Sequence, residues 1–142
     1  EETNKVLVKH GDGKVWLHTG DIGCMDQDGF IYFKQRLKRL IISSGYNIYP
    51  SYVENIIMKL DEVASCVVIG ISHPYKKQVA KAYIVLKDGV KPTTAIKKKI
   101  KKHCESNLAR YSWPYEYEYR DKLPKTLVGK VAYKKLEEEN NG

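Results

Sequence analysis

The sequence predicts an α+β fold: a small mixed β-sheet flanked by helices and preceded by a short β-rich remnant. Two observations lead to this prediction. Apolar residues recur at helical spacing in 51–60 and 93–108, whereas 63–71 (VASCVVIGI) is a nearly continuous, β-branched apolar run. The elements predicted from residue 39 onward also follow the order ββαββαβ, then a turn and a last helix.

The first 35 residues are predicted to form short paired strands. KVLVK (5–9) and KVWLHT (14–19) read as strands around a GDG turn, and FIYFKQ (30–35) follows a second turn, DQDG (26–29). These strands are too few to close a hydrophobic core by themselves. We therefore interpret them as the remnant of a larger sheet.

A helix is predicted to follow Pro50. Ser51 and Glu54 have the spacing of a capping box, in which each side chain bonds to the backbone N–H of the other residue's position. The apolar residues of the segment recur at i, i+3, i+4 and i+7, which predicts one buried face made by Val53, Ile56, Ile57 and Leu60.

The rest of the chain predicts two strands, a helix, a strand and a helix. We expect 63–71 to be a central strand and 79–87 its neighbour, with the polar segment 72–78 as the loop between them. A helix begins at Thr93 or Thr94, and its buried face carries Ile96, Ile100, Cys104 and Leu108. YEYEYR (115–120) alternates as a half-buried strand with its tyrosines inward, and a short helix covers about 133–139.

Composition restricts the class of protein. The chain has 142 residues, 42% hydrophobic and 30% charged, which is typical of a globular domain. No apolar run approaches the ~20 residues of a membrane span, and no signal peptide is apparent. Because the first residue is Glu1 rather than Met, we expect an excerpt of a longer protein. The net charge of +8 favours anionic partners: nucleic acid, an acidic membrane face or phosphorylated small molecules.

The cysteines and histidines predict no metal site. Cys24, Cys66 and Cys104 are odd in number and include no C-x-x-C pair, and the four histidines add no ligand spacing to them. Reduced, buried thiols in a cytosolic protein are the expected state.

The lysine-rich segment 97–102 raises the possibility of a nucleic-acid interface. Aromatic residues that would stack on bases are missing inside it. The solvated face of an amphipathic helix is therefore the favoured interpretation, and a free-standing basic nucleic-acid-binding module stays as an alternative.

Lys130 follows a glycine in a short turn near the end of the chain. A Walker A loop is excluded, because Pro124 stands where that motif has its first glycine and Val131 follows the lysine. Gly129 would let the backbone approach a partner closely, and an ammonium on a long stem can meet phosphate there. Earlier in the chain, Asp21 closes HTGD at a strand end, where a carboxylate can accept hydrogen bonds from two ribose hydroxyls.

Four segments together resemble the adenylate-forming enzymes, which include acyl-CoA synthetases, adenylation domains of peptide synthetases and luciferases. They are HTGD (18–21), QRLKRLI (35–41), SSGYNIYPSYVE (43–54) and LPKTLVGKVAYKKL (123–136). They occur in the family's order and spacing.

The resemblance implies a role for each matching residue. Asp21 would bind the ribose hydroxyls of ATP, Arg36 would also contact the nucleotide, and Lys130 would be the adenylation lysine. Lys38 matches the hinge between a large and a small domain. The loop of Ser43, Ser44 and Gly45 would face the active site during the thioester step.

The resemblance also implies the domain organisation. Residues 1–35 would be the β-rich tail of the large amino-terminal domain, 36–38 the hinge and 39–142 the small carboxy-terminal domain. The fragment by itself is expected to be inactive, because the phosphate loop and the acyl pocket belong to the missing amino-terminal domain, its partner. For the same reason the sequence does not name the acid.

The implied function is that of an AMP-forming acid:CoA ligase acting on a carboxylic acid of the fatty-acid class. ATP, Mg²⁺ and coenzyme A would be used by the full-length enzyme, in the cytoplasm or at a membrane surface, without nucleic acid and without a transmembrane segment. Lys38 in place of aspartate favours acyl-CoA synthetase or luciferase relatives, whereas Gln35 and Tyr52 depart from common family residues. An adenylation domain that loads a carrier protein is the alternative.

Overall fold

The structure is a computed structural model that describes residues 3–140. The described part of the chain divides into two compact units, with the boundary between Lys38 and Arg39. No helix among the described residues has the length and apolar character that a membrane span requires.

The first unit consists of two antiparallel ribbons. A single helical turn, α1 (Thr3–Val6), leads into β1 (Leu7–Lys9), which pairs with β2 (Val15–Leu17). The second ribbon joins β3 (Asp21–Met25) to β4 (Ile31–Arg36). Among the described residues, the buried hydrophobic side chains all lie from Ile41 onward, as expected for strands that close no core of their own.

The predicted strand at 5–9 is wrong in its first half. Residues 3–6 are helical, and only Leu7–Lys9 is extended. The reason is the length of the partner strand, because the register pairs Leu7 with Leu17, the last residue of β2. Residues before Leu7 therefore have no β2 residue opposite them.

The second unit is a five-stranded mixed sheet with helices on both faces, which confirms the predicted fold class. The hairpin β5 (Ile41–Ser43) and β6 (Tyr46–Ile48) leads to α2 (Pro50–Ile57), and then β7 (Val63–His73) and β8 (Lys77–Leu86) form a long hairpin. Next come α3 (Thr94–Asn107), β9 (Glu116–Tyr119) and α4 (Tyr133–Glu138). The sheet order is β6-β5-β8-β7, and β9 pairs with β8 in parallel.

The hydrophobic core has two parts, one on each face of the sheet. Val68 and Ile84 belong to a cluster with residues of α2 and α3. Val67, Ile69 and Tyr83 point the other way and pack with Leu123 and with Leu136 of α4. Successive residues of a strand alternate between faces, so the apolar run of β7 contributes to both clusters.

The apolar run at 63–71 was expected to be a central strand, and this is wrong. Among the described residues β7 pairs with β8 alone, at the end of the strand order. Its continuous hydrophobicity reflects helices on both faces and not neighbouring strands on both edges. The predicted loop at 72–78 is also shorter than expected, because the ladder continues to His73 opposite Lys77.

Ser51 is not the N-cap of α2, as the predicted capping box requires. The helix begins at Pro50, Tyr49 is its N-cap, and no side-chain cap hydrogen bond is present there. Proline suits the first helical position because its missing N–H would have no intrahelical partner. Glu54 instead accepts a hydrogen bond from the backbone N–H of Val68 (2.8 Å) and pairs with Arg39. Its role is tertiary.

Other predictions hold with smaller changes. Thr93 is the N-cap of α3, and its hydroxyl accepts from the N–H of Ile96. Cys66 is buried as predicted, and burial raises the pKa of its thiol, which keeps the sulfur protonated at neutral pH. Cys24 is exposed, so the prediction that all three cysteines are buried is wrong for this residue. Glu118, expected in water, is half-buried and ion-paired with Lys81.

The buried face of α2 provides a test of this core. Ile57 is fully buried (0% exposed), so Ile57→Ala should lower the free energy of unfolding by about 2–5 kcal/mol. Met58, the next residue, is 43% exposed, and Met58→Ala should change that free energy by less than about 0.5 kcal/mol. Equilibrium urea unfolding of the 142-residue chain, followed by circular dichroism, measures both. Equal effects of the two substitutions would contradict the packing described here.

Candidate functional site

The segment that carries Lys130 is a small closed loop, residues 124–132, which we call the lysine hairpin. An antiparallel bridge joins Lys125 to Val131. The N–H of Ala132 donates to the carbonyl of Pro124 at 2.9 Å. These backbone contacts close the base of the loop with groups that belong to the loop itself.

Further hydrogen bonds fix the turn next to Lys130. The N–H of Thr126 donates to the Lys130 carbonyl (2.6 Å), and the Thr126 hydroxyl accepts from the Lys130 N–H (3.2 Å). Gly129 has φ +79°, a conformation that side chains disfavour, and its N–H donates to the Thr126 carbonyl. Lys130 is exposed on this turn. The backbone is therefore ordered while the ammonium can reach a partner.

The predicted thioester-step residues lie on another tight turn, which connects β5 to β6. Ser44 and Gly45 have φ of 49° and 84°, the positive values that two-residue hairpins use. Ser43 is buried and pairs with Lys77, and the N–H of Ser44 donates to the Lys76 carbonyl at 3.0 Å. A Cβ on Gly45 would meet nothing within 4 Å, so conformation and not crowding favours glycine there.

A cleft of about 710 Å³ opens beside this turn, and we call it the aromatic cleft. The rings of Tyr46 and Tyr111 stack with centroids 4.7 Å apart. The Lys76 ammonium lies 5.7 Å from the centre of the Tyr115 ring. Arg110 also lines the cleft, and a smaller adjoining cavity reaches Ser43 and Ser44. Lys101 and Glu105 of α3 line the cleft as well. Flat rings and cations are groups that can bind an aromatic base and its phosphates.

The two predicted nucleotide-binding residues of the first unit lie side by side. Asp21 and Arg36 are directly opposite in the β3–β4 register, and Arg36 Nε lies 2.9 Å from Asp21 Oδ1. Both side chains are open to solvent, with 65% of Arg36 and 36% of Asp21 exposed. The Thr19 hydroxyl accepts from the Asp21 N–H and orders the approach to the strand. The pair thus presents a carboxylate and a guanidinium together.

Lys38 occupies the middle of a 3-10 turn, Leu37–Arg39. Its side chain is exposed. The backbone N–H of Leu37 donates to the Gly20 carbonyl at 2.8 Å, which fixes the start of the turn. The predicted hinge residue therefore lies in a short turn and buries little of its own surface.

Sequence reasoning missed the aromatic cleft. Its residues come from four segments of the chain, around 46, 76, 101–105 and 110–117. The signal present in the sequence is the tyrosine-rich stretch RYSWPYEYEY (110–119), of which only the part from Tyr115 onward has the alternation that predicts a strand.

Comparison with known proteins places these features in a family. Residues 52–130 match the model of the AMP-binding enzyme C-terminal domain. A long-chain-fatty-acid–CoA ligase of Bacillus subtilis (strain 168) is 43% identical over 139 residues, which are 98% of this chain and 23% of that ligase. The chain thus spans about a quarter of the length of the curated relatives it matches.

The comparison with solved structures leads to the same family. An ATP-bound RpMatB-BxBclM chimera superposes with a TM-score of 0.86 at 29% identity, over 98% of this chain and 27% of the chimera. The o-succinylbenzoate CoA synthetase of Bacillus subtilis, in complex with its acyl-adenylate intermediate, gives 0.76 at 35% identity, over 90% and 25%. The resemblance to adenylate-forming enzymes is confirmed, and the chain belongs to the family of AMP-binding enzyme C-terminal domains.

Proposed function

We propose that this chain is the carboxy-terminal part of an AMP-forming acid:CoA ligase that activates a carboxylic acid of the fatty-acid class. The observation that carries the proposal is the lysine hairpin, which holds an exposed Lys130 on an ordered turn in a member of the AMP-binding family. The similar Bacillus subtilis protein is a long-chain-fatty-acid–CoA ligase, which supports the substrate class.

In the first half-reaction, the substrate carboxylate attacks the α-phosphorus of ATP and pyrophosphate leaves. Negative charge builds on the phosphoryl oxygens as the acyl-adenylate forms. The Lys130 ammonium, brought to the active site of the amino-terminal domain, would stabilise that charge. An ordered backbone favours this role. The lysine accelerates the reaction only if its ammonium lies where charge develops, so that it stabilises the transition state more than the ground state.

Asp21 and Arg36 are proposed to bind the nucleotide. A carboxylate accepts two hydrogen bonds from vicinal ribose hydroxyls, and the neighbouring guanidinium orients the Asp21 side chain. Their distance of 2.9 Å supports a shared role. Mg²⁺ would arrive with ATP. Among the described residues no group of three or more His, Cys, Asp or Glu side chains could hold a metal ion, so we assign no step to Mg²⁺ in this part of the enzyme.

We further propose that residues 1–35 complete the large domain, that 36–38 are the hinge and that 39–142 form the small mobile domain. The boundary between compact units at Lys38 and Arg39 supports this division. A hinge residue needs only to absorb a change of backbone dihedral angles, and exposed Lys38 can do so without disturbing a core.

In the second half-reaction, the CoA thiol attacks the acyl carbonyl and AMP leaves. The Ser43–Gly45 turn would face the reacting atoms after the small domain has rotated. The aromatic cleft beside it is suited to the other end of CoA, because stacked tyrosines can hold an adenine while Lys76 and Arg110 meet phosphates.

The alternatives differ in the acceptor or in the class of protein. A carrier protein would need no nucleotide cleft, so the aromatic cleft favours free CoA. Against a nucleic-acid module, two of the five lysines of α3 already contact the domain itself, because Lys99 pairs with Glu62 and Lys97 lies over the Tyr119 ring. We therefore propose no nucleic-acid partner, action in the cytoplasm or at a membrane surface, and no activity for the 142-residue chain by itself.

The adenylation role of Lys130 can be tested in the full-length ligase by acid-dependent pyrophosphate exchange over a panel of carboxylic acids. Lys130→Ala should lower the exchange rate about 10²–10³-fold, because a charge-stabilising donor is lost. Thioester formation from supplied acyl-adenylate should fall less than about threefold, since that step does not use the lysine. Lys134→Ala, an exposed lysine four residues on, is the control. Equal loss in both half-reactions would argue against the assigned role.

The turn at Gly45 allows a test of the thioester step with a matched glycine. Gly45 (φ +84°) and Gly89 (φ +81°) have the same conformation and open space around an added Cβ. Leucine at either position should therefore cost a similar ~1–2 kcal/mol of folding free energy. Gly45→Leu should in addition slow thioester formation at least about tenfold, since the side chain blocks the approach of the thiol. If Gly89→Leu slows that step equally, the turn has no special role.

The aromatic cleft predicts a selective change in the affinity for CoA. Lys76→Ala should raise the KM for CoA about tenfold, since a charge-assisted contact contributes about 1.5 kcal/mol, and leave pyrophosphate exchange unchanged. Lys98→Ala removes an exposed lysine of α3 outside the cleft and should leave both unchanged. Dephospho-CoA and pantetheine as acceptors would show which end of CoA is involved. An unchanged KM for CoA in Lys76→Ala would remove the cleft from the proposal.

A further inference from the structure

Arg39 is a largely buried cation at the start of the second unit. It directly follows Lys38, and only 20% of its side chain is exposed. Its carboxylate partner Glu54 is still less accessible, at 13%. A charged pair is costly to remove from water, so its retention calls for an explanation in terms of what it contacts.

The guanidinium is held from one side by α2 and β7. Arg39 Nη2 donates to Glu54 Oε1 and lies 3.4 Å from the Val68 carbonyl oxygen. Glu54 Oε1 also accepts from the N–H of Val68 at 2.8 Å. These three groups form a closed polar cluster in which the carboxylate is fixed to a strand and orients the cation.

From the other side the guanidinium is covered by an aromatic ring. The Arg39 Cζ lies 4.1 Å from the centre of the Tyr133 ring, a cation–π contact. Tyr133 is the first residue of α4 and also packs against the core cluster that contains Leu136. Burial raises the pKa of the Tyr133 hydroxyl, so the ring that faces the cation is neutral at physiological pH.

Tyr133 directly follows the lysine hairpin. The hairpin is closed by its own hydrogen bond between Ala132 and Pro124, and its turn is fixed by Thr126. Because the loop is ordered internally, the direction in which Lys130 points depends on how the base of the loop is attached to the domain. The stack of Tyr133 on Arg39 is one such attachment.

We infer that Arg39 is a positioning residue for adenylation: held by Glu54, it fixes Tyr133 and thereby the orientation of the Lys130 hairpin. This inference rests on the proposed function of Lys130. It adds residues outside the hairpin to the adenylation machinery, and it gives the buried ion pair a role beyond stability.

The inference predicts a defect that is selective for one half-reaction. A displacement of a catalytic group by about 1 Å can reduce a rate about 10²-fold, so a loosened hairpin should lower the kcat of adenylation without changing how substrates bind. Tyr133→Leu in the full-length ligase should lower the kcat of pyrophosphate exchange about tenfold. The KM values for ATP and for the acid, and the rate of the thioester step, should stay within about twofold of wild type.

Two variants separate positioning from simple loss of packing. Tyr133→Phe keeps the ring and should restore the kcat to within about twofold of wild type. Tyr119→Leu removes another half-buried tyrosine that is covered by a cation, Lys97 at 5.3 Å, and should leave both half-reactions unchanged. If Tyr133→Leu slows adenylation no more than Tyr119→Leu does, or slows both half-reactions equally, the inference is overturned.

A double-mutant cycle tests whether the two residues act together. Arg39→Lys keeps a cation for Glu54 but loses the flat stacking surface, and it should reduce the kcat of adenylation less than Tyr133→Leu does. In the double variant with Tyr133→Leu, Arg39→Lys should cause no further loss of the adenylation kcat. If the two fold-reductions in kcat multiply instead, the residues act independently and the inference is overturned. If Tyr133→Leu does not fold, Arg39→Lys decides by itself: a kcat of adenylation equal to wild type overturns the inference.

Lys130→Ala, measured in the same assay, keeps the two proposals distinguishable. If it abolishes exchange while Tyr133→Leu and Arg39→Lys leave exchange intact, the proposed function stands and the positioning role fails. If Lys130→Ala itself exchanges at the wild-type rate, the proposed function fails, and the positioning role fails with it.

Discussion

Burial on both faces of the β7–β8 hairpin is the constraint on which the rest of the second unit depends. Val68 and Ile84 face one hydrophobic cluster, and Val67, Ile69 and Tyr83 face the other. Helices must therefore cover both sides of the sheet. Polar groups with a chemical role are left to the turns and strand ends, and this is where the lysine hairpin and the Ser43–Gly45 turn lie.

Both turns combine an ordered backbone with exposed functional groups. Positive φ values at Ser44, Gly45 and Gly129 make each turn tight, and hydrogen bonds within or next to the turn hold it. A group that is ordered before it meets its partner loses little conformational freedom at that moment. Such turns suit the proposed role of the small domain, in which one surface and then another would face the active site.

The fold was predicted well where the signal is local and poorly where a distant partner decides. Helical spacing located α2 and α3, and β-branched runs located β7 and β8. The predicted capping box was wrong in its N-cap, because the helix begins one residue earlier at Pro50, and Glu54 bonds to Val68, 14 residues further on. The edge position of β7 and the helical turn before Leu7 likewise depend on which strand lies opposite, and periodicity does not contain that information.

The same distinction explains the candidate site and the net charge. Lys130 and Gly45 could be named as candidates because their motifs are contiguous, whereas the aromatic cleft unites Tyr46, Lys76 and Tyr111 only after folding. The net charge of +8 indicated an anionic partner without naming one. The structure shows one reason: some of the cations are in ion pairs within the domain, such as Lys81 with Glu118, Lys99 with Glu62 and Arg120 with Glu139. Composition counts these cations together with those that folding places beside a ring or on an exposed turn, such as Lys76 and Lys130, so it cannot single out the groups that would meet a partner.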